Sequence, residues 1–238
     1  MTAEGFIDDD ALERSLAALR EHGSAGQPQE MIKEVLLATR RLFAASGAGL
    51  MLIDESTALR SVAATDAAAQ MLERKQEQLG HGPCVDAVVL DKLTESVDLL
   101  ADQRWTELGA ALAGHGVRAV LGVPVRLDGV AVGALNVFRD KPHSWSPSEI
   151  SALSSYGGLI QGVLRAALQT QQRTKLAEQL QHALDNRVII ERAVGVLMGR
   201  ERIDPVEAFN GLRKRARNSG RRVSDLAQEL LDAVSEAD

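Results

Sequence analysis

Ten lysines and arginines lie between residues 185 and 222: Arg187, Arg192, Arg200, Arg202, Arg213, Lys214, Arg215, Arg217, Arg221 and Arg222. Five acids accompany them, so the segment is net +5 inside a chain whose total is −6. Guanidinium groups are planar, permanently charged and rich in donors, which suits them to phosphate oxygens. Such a cluster can grip a polyanion; bond-breaking needs other groups. Two plainer readings stand beside that one: a solvated basic face, and a docking surface for the acidic remainder of the same chain. Arg213 and Arg217 are four residues apart and share a helix face. Arg221 lies just past Gly220, and Arg192 precedes both on another helical stretch. Gly195 sits inside that stretch, where glycine costs about 1 kcal/mol relative to alanine. It either lets a further helix pack closely or lets a nucleic-acid backbone approach. Arg192, Gly195, Arg213, Arg217 and Arg221 are the candidate contacts, with Lys214 and Arg215 adding diffuse attraction.

The other reactive side chains form no constellation. Cys84 is the single cysteine, which excludes an internal disulfide and a multi-thiolate metal site. His81 is close to it in sequence, but His115 and Asp86 complete no recognisable ligand spacing. A Cys–His nucleophile needs an orienting base and oxyanion donors, and the sequence offers neither. Cys84 is therefore expected to be a buried structural thiol. It remains, with Asn136, a candidate for lining a small-molecule pocket. Asn136 lies in a strand pattern, where it either faces such a pocket or satisfies a turn. There is no Gly-rich phosphate loop, so a protein without catalytic activity is expected, and no particular cofactor is implied. Aromatic residues are few and scattered (two Trp, one Tyr, four Phe), which argues against bases stacking on a sheet face. Trp105 and Trp145 are expected to pack at helix edges.

The elements that must position these residues follow from periodicity. Hydrophobic residues make up 45% of the 238, an ordinary globular fraction. Leu12, Leu16 and Leu19 mark a short amphipathic helix, and a second runs from 29 to 45 through Met31, Val35, Leu36, Ala38, Leu42 and Phe43. The stretch from His22 to Pro28 breaks the two. Gly49–Ile53 and Leu59–Ala63 read as a hairpin about a turn at Asp54–Thr57. A helix over 67–79, a break at His81–Pro83, a strand near 93–98 and a helix over 102–113 follow. Strands at 118–125 and 130–138 are joined through Asp128-Gly129, a strong two-residue hairpin signal. Pro124 cannot donate to a ladder and should sit at an edge, strand end or bulge.

Ser146-Pro147-Ser148-Glu149 opens a long helix with a capping box and proline at its first position. Ile150, Leu153, Gly157, Ile160, Leu164 and Ala167 then form a heptad-like seam, the pattern of a helix–helix contact or coiled coil. The polar run Gln169–Lys175 leads to Leu176, Leu180 and Leu184, a bridge between domains. The last segment reads as three helices. The first ends near Arg202, the second begins at Asp204-Pro205 and stops at Asn218–Gly220, and the third begins at Ser224-Asp225. Three helices of this size bury little alone, so the long incoming helix should share their core.

These readings divide the chain into an N-terminal extension (1–27), an α/β domain (28–168), a helical linker (169–184) and a basic helical domain (185–238). The fold class is α+β, an antiparallel sheet with flanking helices, plus an all-α three-helix bundle joined by a long helix. No run of about eighteen or more apolar residues occurs, so no membrane association is expected. The acidic stretch Met1–Asp10 lacks the basic and apolar regions of a secretory signal, and a cytoplasmic location is expected.

Two linked motifs carry a resemblance. Ile190-x-x-Ala193-x-Gly195-x-Leu197-Met198 and Ala208-Phe209-x-x-Leu212-Arg213-x-x-Ala216 resemble the ANTAR family of RNA-binding antitermination domains. That family often has lysine between the alanine and the glycine; this chain has Val194, which removes one phosphate contact. Residues 28–168 resemble a GAF sensory domain through their helix–hairpin–helix order, Gly82-Pro83-Cys84, and the closing pair Gly122–Val125 and Gly133–Val137. The resemblance implies a homodimeric regulator that binds paired RNA stem-loops in a leader transcript. Binding would stop a terminator hairpin from forming, and a ligand or signal in the sensory domain would gate it. The competing reading is a DNA-binding transcription factor with a sensory domain, since three small helices can make a helix-turn-helix unit.

Overall fold

The computed structural model describes residues 5–22, 27–54, 58–169 and 175–235. Residues 23–26 of the expected break, 55–57 of the expected turn and 170–174 of the polar linker lie outside these, as do the side chains of Leu176, Leu180 and Arg217.

Period-two alternation sets the architecture of the first domain. In β1 (Gly47–Ile53), Ala48, Leu50 and Leu52 enter one apolar cluster while Met51 and Ile53 enter another. The strand is buried along its whole length because both faces of the sheet are covered. The sheet has five antiparallel strands in the order β2-β1-β5-β4-β3, with β2 (Leu59–Ala64), β3 (Thr94–Ser96), β4 (Ala119–Leu127) and β5 (Val130–Arg139). One face packs on α1 (Asp9–His22), α2 (Pro28–Leu42) and α6 (Pro147–Gln169). The other packs on α3 (Ala67–Leu79), α4 (Pro83–Val89) and α5 (Thr106–Leu112), the last entered through a single 3-10 turn at Gln103–Trp105.

Local chemistry sets the boundaries. Asp66 caps α3 by accepting from the Ala69 N–H at 2.9 Å, and Gly80 ends it with φ +76°. Asp128 and Gly129 have φ of +50° and +84°, as a two-residue hairpin loop of the primed type requires. Pro124 is tolerated because β3 pairs only with Val120–Gly122, which leaves β4 an edge strand at that point. A register shift follows directly at Val125/Arg126. The capping box opening α6 is complete: Ser146 N donates to Glu149 Oε2 at 2.8 Å, and Glu149 N donates to Ser146 Oγ at 3.2 Å. The α6 seam of Leu153, Gly157, Ile160, Leu164 and Ala167 is buried against the sheet and α2, so its heptad spacing serves mainly a helix-on-sheet contact. Trp105 and Trp145 are both packed inside.

From within the expected linker, α7 (Lys175–Glu201) runs as one continuous helix of 27 residues that becomes the first helix of the C-terminal unit. Asp204 caps α8 (Pro205–Ser219) through the Glu207 N–H at 2.9 Å, and Gly220 stops it at φ +63°. The chain closes with α9 (Val223–Ser235).

One glycine shows how tightly the sheet and α3 meet. A Cβ built on Gly49 would lie 1.8 Å from Glu73 Oε1, whose side chain is fully buried. Gly49→Ala must displace that carboxyl and is expected to destabilise the protein by about 3 kcal/mol. Urea unfolding measures this, and a loss within error of zero would show that the packing is looser than described.

Candidate nucleic-acid interface

The apolar residues of both motifs turn inward. Ile190, Ala193 and Leu197 of α7 meet Ala208, Phe209, Leu212 and Ala216 of α8, and Val223 and Ala227 of α9, in one cluster. The later half of α7, the first of the three helices, supplies a third of that core, while Leu184 of its incoming half packs against the core of the first domain. The motifs are thus first a packing code, and what they present outward depends on the residues between.

Those residues separate into two groups. Arg192 and Gly195 are exposed on α7. A Cβ on Gly195 would meet nothing within 4 Å, and the same holds for Gly199 one turn on. Close packing of another helix of this chain is therefore not what Gly195 serves here. Val188 is also exposed on α7. Arg221 is exposed and bonded to Glu229 at 2.6 Å, and Arg215 to Glu201 at 3.0 Å. Exposed pairs of this kind are worth about 0–1 kcal/mol, so a phosphate can displace the carboxylate. Arg217 lies on α8, its side chain outside the described residues.

Arg213 is different. It is 8% exposed and turns away from solvent, donating from Nη1 to the Gly80 carbonyl at 3.1 Å across 133 residues of sequence. Its guanidinium also lies 5.7 Å from the Phe209 ring. Arg187, 3% exposed, does the same at a neighbouring point: Nη2 donates to the Val88 carbonyl at 2.9 Å and Nε to Glu191 at 2.9 Å. Val89 of α4 packs against the core of the C-terminal unit. The structure thus leaves Arg192 and Arg221 at the surface and seats Arg213 against the first domain; the three are not brought together in one open patch.

The sensory-side candidates share one buried location. Asn136 Nδ2 donates to the Gly49 carbonyl at 3.1 Å beside the Glu73 carboxyl, and the Cys84 N–H donates to Gln76 Oε1 at 2.8 Å. Ser61 donates to Glu73 Oε2. Glu73 Oε1 and Asn136 Oδ1 are buried without a hydrogen-bond partner. Burial pushes the Glu73 carboxyl up to about 8, against the pull of the Ser61 hydroxyl and the nearby Asn136 amide, so its neutral form is favoured at pH 7. Burial also pushes the Cys84 thiol up to about 12, which makes it a packing group with no thiolate to react. Among the described residues no group of three or more His, Cys, Asp or Glu is placed to hold a metal ion.

Glu73, Gln76 and Arg187 were not distinguishable in the sequence as site residues. The available hint was Gly49 inside an apolar strand, a mark of close approach. The break at His81–Pro83 was legible, but nothing near it in sequence named Arg213 as the partner of the Gly80 carbonyl.

The comparisons with known proteins agree with this geometry. A GAF domain model matches residues 25–165, and an ANTAR domain model matches 178–231. The chain belongs to the GAF family and carries an ANTAR domain behind it. No curated protein sequence matches it. Among solved structures, it is similar to the GAF domain of an Acinetobacter phosphoenolpyruvate-protein phosphotransferase, with TM-score 0.55, 17% identity, and 69% of this chain and 96% of that one covered. The corresponding domain from Coxiella burnetii gives TM-score 0.54 and 16% identity over 66% and 95% of the two chains. A free methionine-R-sulfoxide reductase from Neisseria meningitidis, solved with its substrate, gives 0.54 and 15% over 70% and 97%. At such identities the likeness establishes the fold of the GAF domain. The two-domain architecture is that of a signal-responsive regulator. Among the described residues, no helix is long and apolar enough to cross a membrane.

The buried carboxyl makes stability depend on pH. Glu73 is raised from 4.5 to about 8, so its contribution is whole below 4.5 and is lost as pH rises through 8. Thermal melts should show the wild type falling relative to Glu73→Gln across that window. Parallel curves would mean that Glu73 is ionised or solvated in the fold.

Proposed function

We propose that this protein is a cytoplasmic, non-catalytic regulator that binds RNA stem-loops in leader transcripts and prevents transcription termination. The observation that carries the reading is the ANTAR match on a unit whose motif residues close one core. Outside that core, Arg192 flanks the open glycine face of Gly195 and Gly199. Arginine beside uncovered helix backbone suits an RNA strand, because charge attracts the phosphates and missing side chains let them come near. Arg192, Gly195, Arg213, Arg217 and Arg221 are the contacting residues in this reading. The protein acts as a homodimer, in which two basic units engage two stem-loops and effective concentration strengthens the second contact. The GAF domain takes a small molecule, with Cys84 and Asn136 at the receiving site, and that ligand sets the state of the C-terminal unit.

Salt titration and competition test it together. If about five phosphates are neutralised per protomer, log K falls with log salt at a slope of roughly −3.5, and fourfold more salt weakens binding about a hundredfold. Hairpin RNA should outcompete duplex DNA of matched length; the reverse order would make the protein a DNA-binding factor. Gly195→Ala should separate two effects, since an exposed helical site gains about 1 kcal/mol of stability from alanine while RNA affinity falls. Equal affinity of Gly195→Ala and wild type would remove the close-approach role of this glycine.

A further inference from the structure

Arg213 and Arg187 occupy equivalent chemical positions. Gly80 is the C-cap of α3, and Val88 lies in the last turn of α4. The final carbonyls of a helix are short of internal partners, Val88 O having the Asp91 N–H at a long 3.4 Å, and the C-terminal end carries partial negative charge. Each buried guanidinium therefore caps a helix end of the GAF domain, at 3.1 Å and 2.9 Å. Oxygen acceptors with negative character are also what an RNA phosphate offers, and with more charge. One guanidinium cannot serve both.

We propose that the α3–α4 corner of the GAF domain, residues 80–89, is an autoinhibitory dock that holds the C-terminal unit by a phosphate-like pair of helix ends. This inference rests on the RNA-binding reading above and names how that binding is held off. Docked, Arg213 is buried, and RNA engagement through it requires the corner and the helical unit to part. Val89 supplies the apolar part of the seam, packing into the cluster of Ile190, Phe209 and Leu212. The corner is joined to the interior of the sensory domain. Gln76 in the last turn of α3 accepts the Cys84 N–H, so the end of α3 is tied to the start of α4 beneath the dock. Glu73 is on the same helix as Gln76 and touches the sheet at Gly49. A displacement of α3 or α4 by a bound ligand moves both acceptor carbonyls.

The full chain is the object of the test, with Arg187→Ala and Val89→Glu, neither of them among the RNA contacts. The probe is a fluorescently labelled pool of paired stem-loop RNAs with randomised loops, and affinity is read by anisotropy at fixed salt. Hydrogen exchange at 80–89 reports whether the seam has opened. Arg187→Ala removes a cation and Val89→Glu adds an anion, so simple electrostatics makes both bind RNA more weakly. The dock makes both bind more tightly, by about tenfold if a tenth of the wild type is undocked at equilibrium. Tightening by both variants, with exchange at 80–89 accelerated, supports the dock. Unchanged or weaker binding by variants whose exchange shows the seam open overturns it while leaving RNA binding intact. No RNA binding by wild type or by either opened variant overturns the RNA reading itself, and the dock with it.

Discussion

A guanidinium group cannot shed its charge, so any arginine drawn out of water must be met by acceptors or the structure will not form. Arg213 and Arg187 are drawn out, and they are met by two carbonyls of another domain. That requirement constrains the relation between the two halves of the molecule, beside the apolar contacts at Val89 and Leu184 and the packing of α7 on β1 and β5. Hydrogen bonds to charged groups contribute about 1.5–3 kcal/mol each, enough to hold a docked state and little enough to be overcome by ligand binding. The exposed pairs Arg215–Glu201 and Arg221–Glu229 are of a lower order and impose no comparable constraint.

The sensory domain shows a related tension in its interior. A neutral carboxyl, two amides and a thiol share the face of the sheet beneath α3 and α4, and two of their oxygens lack partners. Such groups are expensive in an apolar core unless something else uses them. Their position directly behind the corner that holds the arginines joins the least satisfied part of the first domain to the most constrained contact of the second.

Much of this was legible in the chain. The capping box at Ser146, the Asp128-Gly129 loop, the stop at Gly220 and the two apolar motifs each rest on neighbours within a few residues, and each was found where spacing placed it. The seam of α6 was legible as a buried stripe but not as a face against a sheet, because a stripe does not name what covers it. The destination of Arg213 was invisible for the same reason on a larger scale. Its acceptor is 133 residues away, and a basic residue on a helix looks alike whether it faces solvent, phosphate or a carbonyl. Glu73 lay in an ordinary amphipathic helix, and only the sheet across from it makes it unusual.

The unbroken course of α7 makes it a lever. Its 27 residues span about 40 Å. A tilt of about 10° at one end therefore carries the other about 7 Å, at 1.5 Å of rise per residue. A hydrogen bond is gone well before that distance. Angular changes far too small to disturb either fold are thus sufficient to swing the bundle at the tip clear of the surface it rests on.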